Sequence, residues 1–384
     1  MKSRNPPDRV IPLGLSLLPG MGHLALGKRS RGLPLLSFSL LLVLVLYGNW
    51  DAFLNAFETT AVDHWIAAVF LIVALAASVI YSVWDVHRLL GSPSEGRHGK
   101  SPFQLARRRF AANGLAVVAL YVIGLLYLLA LLAPLLAPYD PAAITDILAT
   151  RYLPPSWAHL FGTDEFGRDL LSRALYGARV SLSVGLLAVL IAMSVGTTYG
   201  AVAAYFGGVV DNILMRIVDV VIAFPVFFLM LVLVGIFEAN IVFLVLILGL
   251  TSWTGTARFI RGEMLSLKER EFTEAARSLG LPSWRIIVRH QIPNALSPVL
   301  VQAALMVGGM IGAEAALSFL GIGIRPPTPS WGNMVSGGQD ALLVAWWVAF
   351  FPGALLALVV LSFNLLADGL RDALDPKALM QRFV

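Results

Sequence analysis

Long apolar segments are the feature that most constrains how this 384-residue chain can fold. Hydrophobic residues make up 58% of the chain and charged residues only 13%, whereas soluble domains hold roughly 45–50% and about 25%. A water-soluble core cannot enclose that much apolar surface without leaving large exposed patches. The composition therefore predicts an integral membrane protein that crosses the bilayer several times.

Eight segments come close to the length of about 20 predominantly apolar residues that a transmembrane helix needs. The first of them is short. A further run, Ile11–Gly27, is interrupted by prolines and glycines, so it is predicted to lie at the interface or to re-enter the membrane. The eight predicted spans are Leu33–Tyr47, Val62–Trp84, Ala112–Leu132, Ser181–Phe206, Ile213–Ile236, Ile241–Thr256, Ala295–Leu320 and Trp346–Leu366.

The positions of Lys and Arg predict the orientation, because cytoplasmic loops carry an excess of these residues. With the N-terminus inside, 23 of the 28 basic residues fall on the cytoplasmic side, and eight spans return the C-terminus to that side. The formal net charge of +5 therefore indicates membrane topology and not nucleic-acid binding. Because the chain has no cysteine, it can form neither a disulfide framework nor a thiolate metal site.

The polar segments divide the chain into three predicted regions. Residues 1–90 form a two-span membrane module with an interfacial start, and residues 91–110 form a basic cytoplasmic linker. Residues 111–384 form a six-span domain. Within it lie a long outer loop, 134–180, and the longest cytoplasmic connection, 258–294.

The cytoplasmic loop 258–294 carries signals for two short helices. Ser266 and Glu269 have the spacing of a capping box, which predicts a helix start. Gly280 occupies the place of a C-cap glycine, and Ser283 is predicted to cap a second helix over Trp284–His290 that ends before the next proline. Two short helices joined by a tight turn at Gly280, here called the glycine elbow, would form a compact structured loop.

The first of these helices carries small and charged residues that suit contact with another protein. Ala275 and Ala276 lack bulk, so a partner surface could approach closely, and Glu274 offers it a charge. An amphipathic cytoplasmic hairpin without a partner is the alternative for this segment.

The string Glu274-Ala275-Ala276, followed at fixed spacing by Gly280 and Pro293, resembles the EAA loop of bacterial ABC-importer permeases. The longer strings EFTEAARSLG and RIIVRHQIPNAL resemble the oligopeptide, dipeptide and nickel branch, although Gln291 and Ile292 depart from the residues usual there. In that family the loop docks in a cleft of the ATPase subunit and converts nucleotide-driven closure into movement of the spans. The resemblance implies coupling roles for Glu274, Ala275, Ala276, Arg277, Gly280, His290 and Pro293.

Other stretches resemble the same branch, and the resemblance covers roughly residues 103–376. Residues 1–95 lie outside it. The string that begins Leu18-Pro19-Gly20 is similar to small two-span membrane modules of unknown role, which suggests a fused accessory module whose function stays open. The outer-loop signature residues are Gly162, Thr163, Asp164, Gly167, Arg168 and Asp169.

The resemblance implies an all-α, type I ABC-importer-like core of six transmembrane helices, here with two extra N-terminal ones. It implies two ATPase subunits that hold ATP and Mg, a second homologous permease subunit and an extracytoplasmic substrate-binding protein. The location implied is the bacterial cytoplasmic (inner) membrane. The chain itself is expected to be non-catalytic and to bind no cofactor, since it lacks the phosphate-cradling GxxxxGK[ST] pattern. The SGGQ string at 336–339 falls in an outer loop and is interpreted as a flexible turn.

Two further chemistries are excluded by the spacing of polar residues. The six histidines are scattered over different loops without a close ligand pair, which argues against a metal site and a metal-dependent hydrolase. A serine protease within the membrane would need a Ser/His or Ser/Lys pair at membrane depth. The predicted spans offer serines but no buried His or Lys.

Three features within the spans carry expectations of their own. Glu314 lies toward the outer end of the seventh span, where an ionisable residue is costly. It either faces the translocation path or makes a structural hydrogen bond between helices. Asp219 is expected to pair with Arg216 three residues earlier, and Gly308-Gly309 is expected to allow close helix packing while the spans alternate their access.

The function expected is that of a permease subunit of an ATP-driven importer of di- or oligopeptides. A nickel or other small-solute importer of the same branch is the alternative, because side-chain chemistry in this chain does not separate the substrates. A membrane receptor or scaffold that docks a cytoplasmic partner through loop 258–294 is an alternative of another class.

Overall fold

The computed structural model describes residue 12 and residues 15–56, 62–91, 102–144, 146–236 and 240–374. Within these ranges the chain is helical, apart from one isolated antiparallel bridge between Thr163 and Asp169. Two compact units are present, Met1–Lys100 with Leu131–Ala137, and Ser101–Ala130 with Pro138–Val384. Residues 92–101 of the predicted linker and residues 375–384 at the predicted cytoplasmic C-terminus lie outside the described residues.

The first unit holds a buried polar contact that joins its early turns to its longest helix. His23 Nε2 lies 3.0 Å from the Asp85 carboxylate, and both side chains are buried. The Gly20 amide donates to Ser82 Oγ at 3.3 Å, and Gly20 adopts a positive φ of 91°. The described part of the predicted interfacial run therefore forms turns and a short helix. The helices of this unit are α1 (Met21–Ala25), α2 (Arg29–Gly48), α3 (Trp50–Ala56), α4 (Val62–Gly91) and α7 (Ala133–Leu136).

The second unit contains the remaining helices, which follow in chain order. They are α5 (Pro102–Ala112), α6 (Gly114–Leu131), α8 (Ile147–Thr150), α9 (Leu170–Phe206), α10 (Gly208–Ala223), α11 (Val226–Ile236), α12 (Ile241–Lys268), α13 (Glu271–Ser278), α14 (Ser283–Ile286), α15 (Ile292–Phe319), α16 (Trp331–Gly337) and α17 (Trp347–Leu374). A π-helical turn, Ile287–Gln291, joins α14 to α15.

The apolar helices confirm the prediction of a multi-pass membrane protein. Among the described residues, six helices are long and apolar enough to cross a bilayer, and the number is seven if one bent pair of helices is counted as a single span. The apolar helix Gly32–Gly48 is shorter, as expected for the first predicted span. The span predicted over Ser181–Phe206 begins earlier, at Leu170, because Asp169 caps the helix by accepting a hydrogen bond from the Ser172 amide.

The span predicted as continuous over Ile213–Ile236 is broken in the structure. Helices α10 and α11 meet at an angle of 78°. Phe224 leaves the helical region with φ −85° and ψ 130°, because the ring of Pro225 disfavours helical geometry at the residue before it. Apolar residues continue on both sides of the break, so hydropathy alone does not reveal it.

The core of the second unit is built on the close approach of α9 and α12. A Cβ atom on Gly196 would lie 2.5 Å from Thr256 Cβ, and one on Gly249 would lie 2.7 Å from Ile191 Cβ. A Cβ on Gly200 would collide with the carbonyl oxygen of Ala257. Gly196 and Gly200 have the small-xxx-small spacing that lets helix backbones approach in membranes.

The close contact between α9 and α12 does not involve Gly308-Gly309, and the expected role of these glycines during movement of the spans stays a prediction. A Cβ on Gly308 would meet its neighbours at an ordinary 3.5 Å, and one on Gly309 would meet nothing within 4 Å. The two glycines on α9 provide the close approach instead.

We expect Gly200→Ala to lower the thermal midpoint of the purified chain in detergent, because the added methyl group must push α9 and α12 apart. Overpacking of this kind costs about 1–3 kcal/mol. The matched control is Gly255→Ala on α12, where an added Cβ meets nothing within 4 Å. Equal midpoints for the two variants would contradict the close packing at Gly200.

Candidate functional site

The loop predicted to couple the spans to a partner begins later than its capping pattern indicated. Ser266 lies inside the last turn of α12, and Glu269 is the C-cap of that helix. The prediction that Ser266 caps the first loop helix is therefore wrong, because apolar and basic residues carry α12 on to Lys268. The loop helix α13 starts at Glu271, with Arg270 as its N-cap.

The glycine elbow lies at the predicted position. Gly280 has φ +72°, a conformation that costs glycine little. The Leu281 amide donates to the Ala276 carbonyl at 3.2 Å, and the Gly280 amide donates to the Arg277 carbonyl at 2.9 Å. These two bonds form a Schellman motif, so the chain turns sharply after Ser278.

The second half of the loop continues into the membrane. The predicted helix Trp284–His290 does not end before Pro293, since α14, the π-helical turn and α15 follow one another without a break. Pro293 lies in the first turn of α15, directly after the π-helical turn. Pro282, not Ser283, is the N-cap of α14. This half of the loop and the span therefore form one continuous helical segment.

Most of the predicted coupling residues share the exposed surface of the loop. Glu274, Ala275, Gly280 and Pro293 are exposed, whereas Ala276 is buried at 4% of its surface. Only one alanine of the pair is therefore free to meet a partner. The Arg277 guanidinium lies over the Tyr205 ring, with 5.4 Å between its Cζ and the ring centroid. His290 is half-buried, and its backbone carbonyl accepts a hydrogen bond from the Asn294 side chain at 2.5 Å.

Large apolar side chains on the same loop are exposed, and the sequence analysis did not single them out. Leu279 is 79% exposed, Trp284 63% and Val288 58%. A cluster of exposed apolar residues on a structured loop is typical of a protein contact. The signal available in the sequence was the presence of these residues in an otherwise basic segment.

Gln291 is the most unusual residue of the loop. Its side chain is fully buried, and among the described residues neither its amide nitrogen nor its amide oxygen has a hydrogen-bond partner. It ends the π-helical turn, a geometry that is often found at functional positions. This residue also departs from the aliphatic side chain usual in the resembling family.

The outer-loop signature forms a buried, charged cluster around Asp164. The Arg168 guanidinium donates to Asp164 Oδ2 at 2.7 Å, and Arg173 Nε lies 3.4 Å from the same oxygen. The other carboxylate oxygen accepts the amides of Phe166 and Arg168, both at 2.9 Å. The Asp164 carboxylate thus contacts two buried guanidinium groups, and its oxygens also hold the turn.

The rest of the signature attaches this cluster to the spans. Asp169 caps α9 and also lies 2.9 Å from Nδ1 of His159. The Trp347 indole donates to the Thr163 carbonyl at 3.4 Å, and a Cβ on Gly162 would lie 2.7 Å from that indole nitrogen. Gly167 has φ +76°. The six signature residues therefore build one rigid turn at the start of α9.

Glu314 lies in the interior of the second unit and is fully buried. It accepts hydrogen bonds from the hydroxyls of Ser181 at 2.9 Å and Ser318 at 2.7 Å. Ser181 in turn accepts the Trp331 amide at 3.2 Å. Glu314 therefore links α9, α15 and α16, and its place on a translocation path stays a prediction.

Two other sequence expectations have an outcome in the structure. Asp219 pairs with Arg258 of α12 at 2.5 Å, so the expected local pairing with Arg216 is wrong. The SGGQ string ends α16, where Ser336 donates to the Phe319 carbonyl at 2.8 Å. In the described part of the chain, no group of three or more His, Cys, Asp or Glu side chains could hold a metal ion.

We expect Asp164→Asn to loosen the outer loop, because two buried guanidinium groups lose their counter-charge. Breaking a buried ion pair costs about 3–5 kcal/mol. The measurement is limited proteolysis of the outer loop in membranes, with faster cleavage than in the unmodified chain. Asp140→Asn is the control, since Asp140 is exposed and asparagine keeps the oxygen that accepts the Ala142 amide. Equal cleavage of the two variants would contradict the role of Asp164.

We expect Gln291→Leu to raise the thermal midpoint in detergent. A buried amide without partners costs about 1–3 kcal/mol, and leucine fills a similar volume without polar atoms. Gln339→Leu is the control, because Gln339 is exposed and exposed substitutions change stability by about 0.5 kcal/mol or less. A lower midpoint for Gln291→Leu would show that the amide does have a partner.

Comparison with known families agrees with this geometry. Residues 196–379 match the family model described as binding-protein-dependent transport system inner membrane component. Residues 101–155 match the N-terminal TM domain of oligopeptide transport permease C. The first match contains the whole coupling loop and Glu314. Residues before 101 fall in neither match.

Individual relatives are similar over most of their length. The dipeptide transport system permease protein DppC of Bacillus subtilis is 41% identical over 71% of this chain and 85% of its own. The oligopeptide permease OppC of Escherichia coli K12 is 44% identical over 73% and 92%. The glutathione permease GsiD of Pectobacterium atrosepticum is 41% identical over 72% and 92%. This chain therefore belongs to the family of binding-protein-dependent transport system inner membrane components, the permease subunits of ABC importers.

Proposed function

We propose that this chain is the permease subunit of an ATP-driven importer of di- or oligopeptides, and that loop 258–294 couples ATPase closure to alternating access. The observation that carries the proposal is the rigid, exposed surface of that loop. It presents Glu274 and Ala275 together with the exposed Leu279 and Trp284, and it continues without a break into α15. A partner that pushes on this surface pushes on the span.

The partners proposed are two ATPase subunits, a second homologous permease and an extracytoplasmic substrate-binding protein. An ATPase partner is proposed because the chain belongs to the permease family of binding-protein-dependent transport systems. ATP and Mg belong to those subunits in this proposal, and the present chain performs no catalytic step. An extracytoplasmic binding protein would meet the outer end, where Asp164 and its neighbours form a rigid turn.

The proposed location is the bacterial inner membrane, with both termini in the cytoplasm. Within the second unit, the basic loop 258–294 lies beside the end of α9, where Lys268 Nζ donates to the Ala204 carbonyl at 3.3 Å. The basic helix α5 packs against the last turns of α17, since Gly369 lies against Phe110 and Ala116. Basic residues gathered at these ends support a cytoplasmic assignment.

Peptides are the proposed substrate class because the relatives named above transport dipeptides, oligopeptides and glutathione, which is itself a tripeptide. A nickel or other small-solute importer has no observation of this structure in its favour. A scaffold without an ATPase partner predicts that no nucleotide-binding subunit co-purifies with the chain. A ligand profile of the co-purified binding protein would separate peptides from other solutes.

We expect the double variant Glu274→Arg with Gly280→Arg to abolish peptide uptake. The first change reverses the exposed charge, and the second places a bulky cation in a left-handed position that costs non-glycine residues about 1 kcal/mol or more. The measurements are co-purification of the ATPase and uptake of a labelled dipeptide by vesicles. The chain should still be recovered in the membrane fraction.

The matched control is Glu274→Gln with Gly280→Asn. Glutamine keeps the side-chain length, and asparagine tolerates a positive φ better than other non-glycine residues. This pair should retain the ATPase and most of the uptake. Wild-type uptake by the double arginine variant would refute the coupling role of the loop.

A further inference from the structure

The first half of the bent span, α10, is weakly enclosed by the rest of the second unit. Among its sixteen residues only Asp211 and Val218 are buried. The second half, α11, instead contributes Met230 and Val234 to the main core. The two halves separate at Phe224 and Pro225, so α10 can change direction without disturbing the packing of α11.

Two ion pairs connect α10 to α12, the helix that leads into the coupling loop. Asp211 and Arg261 form a bidentate pair in which Nε and an Nη nitrogen each donate at 2.6 Å to separate carboxylate oxygens. Asp219 and Arg258 form a single contact at 2.5 Å. Bidentate pairing of this kind adds both strength and a defined geometry.

The two pairs differ in exposure, which separates their expected contributions. The side chains of Asp211 and Arg261 are 12% and 34% exposed, whereas those of Asp219 and Arg258 are 48% and 50% exposed. Exposed single ion pairs contribute little, because water screens them and the side chains lose entropy. The Asp211–Arg261 pair is therefore the stronger connection between the two helices.

A short chain of contacts joins this pair to α13, the first short helix of loop 258–294, which we call the coupling helix. Arg261 lies in α12, and that helix ends at Lys268, shortly before α13 begins at Glu271. The Thr273 hydroxyl of α13 donates to the Leu267 carbonyl at 2.8 Å. The end of α12 and the coupling helix are thereby held together, and displacement of one is shared by the other.

We propose that Asp211 and Arg261 are positioning residues that make α10 move with the coupling end of α12, with Phe224-Pro225 as the pivot. This inference rests on the proposed coupling function of loop 258–294. The ion pair passes on to the bent span a movement that the loop receives. Without it, the ATPase would still dock and hydrolyse ATP, but α10 would not follow.

The test uses the full complex reconstituted in lipid vesicles with its ATPase and binding protein. We expect Asp211→Asn to keep the ATPase bound and ATP hydrolysis running, while dipeptide transported per ATP falls about tenfold or more, as expected for the loss of a charged hydrogen-bonded pair. Asp219→Asn is the matched control and should stay within about twofold. A wild-type ratio for Asp211→Asn, or an equal loss in both variants, overturns the proposal.

A second measurement covers the case in which Asp211→Asn does not fold. Because the chain has no cysteine, Asp219→Cys with Arg258→Cys introduces a single reactive pair between α10 and α12. A bis-methanethiosulfonate cross-link there should leave transport intact if the two helices move together. Loss of transport that reduction restores would show that they separate, which refutes the proposal.

The two proposals fail in distinguishable ways. If the unmodified chain recruits no ATPase, the proposed function is refuted, and the amount of dipeptide transported per ATP cannot be measured because no ATP is hydrolysed. If the unmodified complex couples transport to hydrolysis and Asp211→Asn does so equally well, only the role of the ion pair fails.

Discussion

The close approach of α9 and α12 is the contact on which the second unit depends. Lipid chains are as apolar as leucine, so no hydrophobic force draws two membrane helices together. Tight van der Waals contact has to replace it, and this contact needs residues without bulk. Gly196 and Gly200 on one helix and Gly249 on the other supply that space. The outer-loop cluster and the coupling loop lie at opposite ends of this helix pair.

Polar groups are distributed along the helix pair according to the cost of burying them. Glu314 is enclosed but bonded to two hydroxyls, and in the outer-loop cluster both buried guanidinium groups contact the Asp164 carboxylate. The inner end differs, because α10 is largely exposed and Gln291 is buried without a partner. A fully satisfied polar network rigidifies a structure. The end with the Asp164 cluster is therefore the more rigid one, whereas the largely exposed α10 and the unpaired Gln291 amide lie at the end with loop 258–294.

Hydropathy and motif spacing predicted the spans and the elbow because those features are local. Gly280 was found from its place after an amphipathic segment, and the structure places it in a Schellman turn. The sequence analysis did not predict the break at Pro225, because apolar residues lie on both sides of it. It wrongly predicted Ser266 as a helix cap, because α12 continues through that residue to Lys268. The partner of Asp219 is Arg258, 39 residues further along the chain. Only tertiary structure brings those two residues together.

In the proposed coupling, the α12 side and the α15 side of loop 258–294 would transmit a movement of the loop differently. On the α12 side the chain turns at Glu269, between α12 and α13, and again at Gly280, after α13. A movement of α13 would therefore reach α12 through contacts such as the hydrogen bond from the Thr273 hydroxyl to the Leu267 carbonyl. On the α15 side the backbone is continuous, and Ile292 to Glu314 spans roughly 33 Å at 1.5 Å per residue. A displacement on that side reaches the hydroxyl of Ser181 through a single helix. The Asp211–Arg261 ion pair and Glu314 thus lie on two separate routes from loop 258–294. The route to the ion pair runs through side-chain contacts, and the route to Glu314 runs along the backbone of α15.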